Sequence, residues 1–268
     1  AAPVANAGKV VMISTVSSSP DLTEKGGDYF FRNYPSDGLK GKALGAYFVK
    51  AGFKNVAIIS ENTDFCQGVK TSVVKDLPQS VSITFNETVN QGTMDFRTLL
   101  TRLKGTTFDV LLANLQSDSH VAELAKQMRE LGMTQQIVGT DTADSLNLGT
   151  LAGPAAEGLR ALSVPSLDTT SATGSGFITQ FRSSYGEPKF GAYFAALAFD
   201  ATNLLLKTLV ESGDGENLKN ALYHVPSYPG VAGTFHFDEH GDVLGIGFAM
   251  KEFKKGVPVQ IELIDLSN

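Results

Sequence analysis

Tryptophan is absent, and a single cysteine, Cys66, stands among 268 residues. One thiol excludes an intrachain disulfide and any metal centre built from cysteines. It does not fix the redox compartment. Basic residues are outnumbered: 22 Lys and Arg face 28 Asp and Glu, a formal net charge of −6. A nucleic-acid partner would want a basic face, so this balance argues against one. No apolar run approaches the roughly 18 residues of a membrane-spanning helix. The first residues, Ala1 to Gly8, lack the basic start and long apolar stretch of an export signal. An exported protein with this beginning would be a processed or cut form. Tandem repeats of about 20–50 residues are also missing.

What remains is an ordinary globular composition, with 42% hydrophobic and 19% charged residues. At roughly 150 residues per domain the length suggests about two domains. Short β-rich apolar runs alternate with helical stretches. Val10 to Ile13, Val56 to Ile59, Val81 to Phe85, Val110 to Leu112 and Gln136 to Val138 read as strands. Gly41 to Lys50, Gly68 to Leu77, Phe96 to Leu103 and Val121 to Leu131 read as the helices between them. Such alternation predicts βαβ units and a parallel sheet, and the continuous apolar strands predict helices on both of its faces. The last third differs. Phe177 to Tyr185 and Tyr193 to Ser212 read as helices, the second Ala- and Leu-rich. Gly233 to Phe237, Gly245 to Glu252 and Val257 to Leu263 read as strands, with Asp238 to Asp242 as a hairpin turn.

Ligands of open parallel sheets bind beyond the carboxyl ends of the strands. Here those ends carry Ser14 to Ser19, Ser60 to Phe65, Asn114 to Asp118 and Gly139 to Asp144. Hydroxyls, amides and carboxylates of this kind suit a small polar ligand, and they equally suit helix N-caps. No Lys or Arg is expected at these ends. Enzyme signatures are missing: no nucleophile elbow, no phosphate-binding loop and no dinucleotide fingerprint follows a strand. Ser17, His120 and Asp141 form a triad only by residue type. His236 and His240 flank a turn rather than a helix face, so no metal site is expected. Cys66 opens a predicted helix, where the dipole lowers a thiol pKa, which leaves a reactive thiol and a packed small residue as alternatives.

Several motifs occur in a telling order. Met12-Ile13-Ser14 is followed by Ser17-Ser18-Ser19-Pro20-Asp21-Leu22-Thr23, then Tyr29 to Arg32, Pro35-Ser36-Asp37, Asp95-Phe96 and Gln127 to Gly132. Glu157-Gly158, Phe199-Asp200-Ala201 and Gly233 to Asp242 complete the series. In this order, over nearly the whole chain, they resemble the type I periplasmic solute-binding proteins of ABC transporters, in the leucine/isoleucine/valine-binding branch. Thr15 replaces the proline usual in the first motif, and Cys66 a glycine usual after the aromatic Phe65.

The resemblance implies a two-lobed α/β fold of the periplasmic binding protein type I class, with parallel sheets flanked by helices and three chain crossings forming a hinge. It implies a first lobe of residues 1–36 plus 164–229 and a second of 37–163 plus 230–268. The family carries roughly 100–120 residues ahead of this match, so the first lobe is expected to be incomplete, with Val10 to Ile13 at an exposed sheet edge. A fragment of a longer product, a bound N-terminal piece or a second chain would each explain that. A flytrap closing on a solute between the lobes is implied, without catalysis or cofactor. By resemblance, Val16, Ser17 and Ser18 hold an amino-acid α-carboxylate and Asp141 pairs the α-ammonium, while Phe65, Gln116, Ser117 and Tyr193, with Phe194 beside it, line the site. The implied partners are a small amino acid and the membrane permease of an ABC importer. The implied location is periplasmic or extracellular, with a lipid tether as a variant. The alternative is a ligand-sensing domain of a receptor or regulator with the same fold, and an α/β enzyme stands third.

Overall fold

The computed structural model describes residues 1–188 and 191–266. The chain divides into unit 1, Ala1–Ser36 with Ser166–Gly247, and unit 2, Asp37–Pro165 with Phe248–Asn268, so it passes between them three times. The strands in chain order are β1 (Met12–Ser14), β2 (Phe30–Arg32), β3 (Asn55–Glu61), β4 (Ser82–Val89), β5 (Val110–Asn114), β6 (Gln136–Gly139), β7 (Arg160–Ser163), β8 (Tyr228–Pro229), β9 (Thr234–Phe237), β10 (Val243–Leu244), β11 (Phe248–Lys254) and β12 (Val257–Ile264). The α-helices are α1 (Ala2–Ala7), α2 (Asp21–Lys25), α3 (Lys40–Lys50), α4 (Asp64–Asp76), α5 (Arg97–Lys104), α6 (Asp118–Glu130), α7 (Leu146–Ala152), α8 (Ala172–Tyr185), α9 (Ala192–Ser212) and α10 (Gly215–Tyr223).

Unit 2 is built on one seven-stranded sheet, ordered β12-β11-β7-β6-β5-β3-β4. Its middle is parallel, from β4 through β7, and β11 and β12 close it antiparallel. The apolar strands explain the layers. Successive side chains point to opposite faces. Val56, Ile58, Val110 and Leu112 pack with Leu44, Phe48, Val69 and Val73 of α3 and α4. Ala57, Ile59, Leu111 and Ala113 pack with Leu100, Val121, Leu124 and Met128 of α5 and α6. β3 from Val56 to Ile59 and β5 from Val110 to Ala113 are therefore apolar residue after residue, because both faces are covered. In α6, Val121, Leu124, Ala125 and Met128 repeat at helical spacing and are all buried. Gly41 lets α3 approach α4 closely: a Cβ there would lie 2.1 Å from the Ser72 carbonyl oxygen.

Unit 1 has less sheet. β1 and β2 form a parallel pair, and β8, β9 and β10 form an antiparallel trio. Among the described residues, β1 pairs only with β2. An aromatic group of Phe31, Tyr223, Phe235 and Phe237 fills the interior, with Phe31 rings 4.7 Å from Tyr223 and 5.0 Å from Phe237. At the turn between β9 and β10, Gly241 has φ +78°, and a Cβ there would meet the Phe30 carbonyl at 2.3 Å.

Three readings of the sequence need correction. Residues 230–247 belong with unit 1, not with the second lobe. They are tied there by Asp200 of α9, which accepts the Val231 and Ala232 N–H groups at 2.8 Å each, and by the pairing of Asp242 with Arg32. Gly245-Ile246-Gly247 is not strand, since β11 begins at Phe248. Gly245 takes φ +96° as the chain leaves β10, a conformation outside the strand region. The helix start placed at Gly68 lies four residues earlier, at Asp64, because Thr63 caps it.

Candidate functional site

The order of strands in unit 2 contains a switch point. From β3 the chain moves outward to β4, then returns past β3 to β5 and continues to β6 and β7. The connections leaving β3 and β5 therefore part in opposite directions, the kind of switch point at which open α/β sheets take ligands in a crevice beyond the carboxyl ends of the strands. The loops there begin at Glu61 and Asn114, with the Gly139 end of β6 alongside.

Those loops are stitched to one another. Thr63 caps α4, its Oγ1 accepting the Cys66 N–H at 3.3 Å, and donates its own proton to Gln116 Oε1 at 2.7 Å. Ser117 caps α6 by accepting the His120 N–H at 3.3 Å. Thr142 Oγ1 donates to the Leu115 carbonyl at 2.7 Å, and Ser145 Oγ to Asp118 at 2.8 Å. Asn114 is fully buried and donates to Ser60 Oγ at 2.8 Å and to the Cys66 carbonyl at 2.6 Å. Glu61, also buried, accepts the Gly92 N–H at 2.5 Å, the Gln116 N–H at 2.6 Å and a contact from His120 Nδ1 at 3.1 Å. Burial alone would raise its pKa. The backbone N–H groups of Gln116 and Gly92, together with His120, outweigh that and hold it below the ordinary value.

Beside this network lies a buried charge cluster. Lys40, the first residue of α3, is 0% exposed. Its ammonium pairs with Asp37 at 2.7 Å and with Asp141 Oδ2, and sits 4.8 Å from the centre of the Phe65 ring. Burial disfavours the charge of Lys40, but Asp141 and then Asp37 more than compensate, so its pKa is raised. Asp141 Oδ1 and the Thr140 hydroxyl are buried without a hydrogen-bond partner. Lys251 and Asp144 pair at 2.5 Å in the same region. The absence of Lys and Arg expected at these strand ends is thus incorrect: Lys40 arrives from α3, 101 residues before Asp141.

Of the residues expected to line a ligand, Gln116, Ser117 and Asp141 fall beyond these unit 2 strand ends and Phe65 in the first turn of α4. Val16, Ser17, Ser18 and Tyr193 belong to unit 1. There Val16 is 54% exposed, and the Ser17 N–H donates to Ser14 Oγ at 3.0 Å. The loop is anchored by Arg32, which is fully buried. Its guanidinium donates to the Ser19 carbonyl at 2.8 Å, to Thr23 Oγ1 at 2.5 Å and to both Asp242 oxygens at 2.6 and 2.9 Å. Tyr193 is buried in the first turn of α9, and desolvation followed by the charge of Asp200 raises its pKa. Phe194 stacks on Tyr34 at 6.0 Å. A cavity of about 550 Å³ in unit 1, lined by Asp28, Lys219, Tyr223 and Phe237 among others, holds none of these residues.

The catalytic alternatives lose their footing. His120 is bonded to Glu61 and Asp141 to Lys40, so the imagined triad is not assembled. Cys66 is buried, and desolvation pushes its thiol up to about 11, which makes it a packed residue rather than a nucleophile. Sequence reasoning missed Lys40; Glu61 and Asn114 stood in the strand-end segments and Arg32 in the Tyr29 to Arg32 motif, but none of the three was given a role. For Lys40 a signal existed: a cation at a helix N-terminus opposes the dipole and asks for nearby carboxylates.

Comparison with known proteins agrees with this architecture. A leucine-, isoleucine-, valine-, threonine- and alanine-binding protein of Pseudomonas aeruginosa is 24% identical over 252 residues, covering 92% of this chain and 66% of the relative. The chain thus spans just under two-thirds of that protein's length. The crystal structure of a leucine-binding protein from Thermotoga maritima superposes with a TM-score of 0.88 at 23% identity, covering 99% of this chain and 76% of that one. A solute-binding protein of R. palustris in complex with benzoate gives 0.82 at 19% identity, covering 98% and 73%. The shortfall against these longer chains agrees with an incomplete lobe. The periplasmic binding protein family matches over residues 1–246. The chain therefore belongs to the periplasmic binding protein family, whose members bind solutes rather than transform them.

Proposed function

We propose that this chain acts as the extracytoplasmic solute-binding component of an ABC importer, handing its ligand to a membrane permease, and that the ligand is a small amino acid. The observation that carries the ligand reading is Asp141, whose Oδ1 is buried without a partner at the carboxyl end of β6. Lys40 already pairs the other oxygen, and a buried carboxylate oxygen without a donor is costly until one reaches it. An α-ammonium supplies both the charge and the N–H donor. Phe65, Gln116 and Ser117, on neighbouring strand ends of the same unit, would line the same crevice. The relatives support the class: one is described as binding leucine, isoleucine, valine, threonine and alanine.

An aromatic acid is the second reading, favoured by Lys40 as a cation and by the benzoate-bound relative. It would require Lys40 to leave Asp141, and Lys40 has no exposed surface. Calorimetric titration with leucine, valine, alanine and benzoate separates the two. Amino-acid binding that weakens at least tenfold in Asp141→Asn supports the first reading, in line with about 1.5–3 kcal/mol for a hydrogen bond to a charged group. Benzoate binding, or amino-acid binding unchanged by that substitution, removes it.

A further inference from the structure

Lys40 has one local partner, Asp37, three residues before it in the short turn that leads into α3. A cation at the first position of a helix opposes the dipole, and no side chain caps α3. Lysine is almost never fully buried unless paired. Here its ammonium is enclosed by Asp37, Asp141 and the Phe65 ring. Two carboxylates around one ammonium leave this corner with one surplus negative charge. The adjacent pair Lys251–Asp144 is balanced, and the neighbouring Glu61 is held by the Gly92 and Gln116 N–H groups and by His120, so the surplus beside Asp141 Oδ1 is that of the Asp37–Lys40–Asp141 group. The unpartnered atoms lie at the same place: Asp141 Oδ1 and, on the preceding residue, the fully buried Thr140 hydroxyl.

We infer that Asp37 and Lys40 set the charge selectivity of the solute site, holding the corner around Asp141 at a net charge of −1 that matches one monovalent ammonium group. This rests on the amino-acid reading above and extends it to two residues that need not touch the ligand. Lys40 occupies Asp141 Oδ2, so a single carboxylate oxygen is left to accept from a solute. It also cancels one of the two carboxylate charges. A dication would over-neutralise the corner, and an anion would add to its surplus. Asp37 does the converse: it cancels Lys40, so that Asp141 still presents a net charge. Without Asp37, the Lys40–Asp141 pair would be neutral and would gain little from an ammonium.

The test is a charge series read as a preference. Leucine carries one ammonium group, 2,4-diaminobutyrate carries two, and 4-methylpentanoate has leucine's side chain and no ammonium. Titrations use the full chain, with melting curves to confirm folding. Wild type is expected to favour leucine over each of the others at least tenfold. Lys40→Gln should move the preference toward 2,4-diaminobutyrate by at least tenfold, and Lys40→Arg should restore it. Asp37→Asn should move it the other way, narrowing the gap between leucine and 4-methylpentanoate at least tenfold. Opposite shifts from the two variants would not arise from structural damage. If either folded variant keeps the wild-type preference, the inference is overturned while the amino-acid reading stands. If wild type binds none of the amino acids, that reading falls and the inference with it.

Discussion

Unit 2 and unit 1 both hold buried charge near the ends of short strands, but they hold it differently. In unit 2 a seven-stranded sheet covered on both faces supplies the stability, and a carboxylate oxygen of Asp141 is left without a partner. In unit 1 the sheets have two and three strands, and the buried Arg32 is matched on every side by Asp242, Thr23 and the Ser19 carbonyl. A large apolar core tolerates an unsatisfied polar group, and such groups concentrate where ligands act. A small one depends on its polar interactions being complete, because each is a larger share of what holds the unit together.

That contrast can be broken experimentally, beginning with the largest effect. Arg32→Ala removes the only cation on Asp242 among the described residues, leaving it the Thr23 hydroxyl, and frees the Ser19 carbonyl; removing one partner of a buried pair costs about 3–5 kcal/mol. Hydrogen exchange read by mass spectrometry should show lost protection in peptides of β1, β2, β9 and β10, with β3 and β5 unchanged. Equal loss in both units would end the contrast. In unit 2 the corresponding weak point is apolar. Leu112 is 0% exposed, and Leu112→Ala should cost about 2–5 kcal/mol by leaving a cavity between β5 and α3–α4. Chemical denaturation measures it, and a change under 1 kcal/mol, roughly the lower bound for a lost methylene, would mean that the two-sided core is not what stabilises the sheet.

The smallest effect is acidic. Glu61 has a folded pKa below its ordinary value of 4.5, so between the two values the folded chain binds fewer protons than the unfolded one. Its stabilisation is complete above the ordinary value and is lost as pH falls through the lowered one. Unit 2 should therefore lose protection more steeply on acidification in wild type than in Glu61→Gln. Parallel acid profiles would show that the N–H groups of Gln116 and Gly92 contribute nothing measurable.

The legibility of the sequence followed the same division. The strands β3 and β5 were readable because burial on both faces makes them apolar residue after residue, and α6 because its one buried face repeats at helical spacing. β7, only Arg160–Ser163, carries polar residues at both ends and offers no such pattern. α10 was missed for a related reason: among its nine residues only Leu218 and Leu222 are buried. The candidate loops were legible as strand ends, and Thr63 and Ser117 within them proved to be helix caps. Lys40 was hidden because its meaning depends on Asp141, 101 positions away, and Arg32 because its partner Asp242 lies 210 positions away. Local spacing reports faces and caps; it does not report which distant charges meet.

The most direct measurement is amide chemical-shift mapping of the isotope-labelled protein during a leucine titration. Recognition of an ammonium at the carboxyl end of β6 predicts saturable shifts at Thr140, Asp141, Thr142 and Phe65, and their loss in Asp141→Asn. Saturable shifts confined to the unit 1 cavity at Asp28, Lys219 and Tyr223, with Thr140 to Thr142 unmoved, would contradict it.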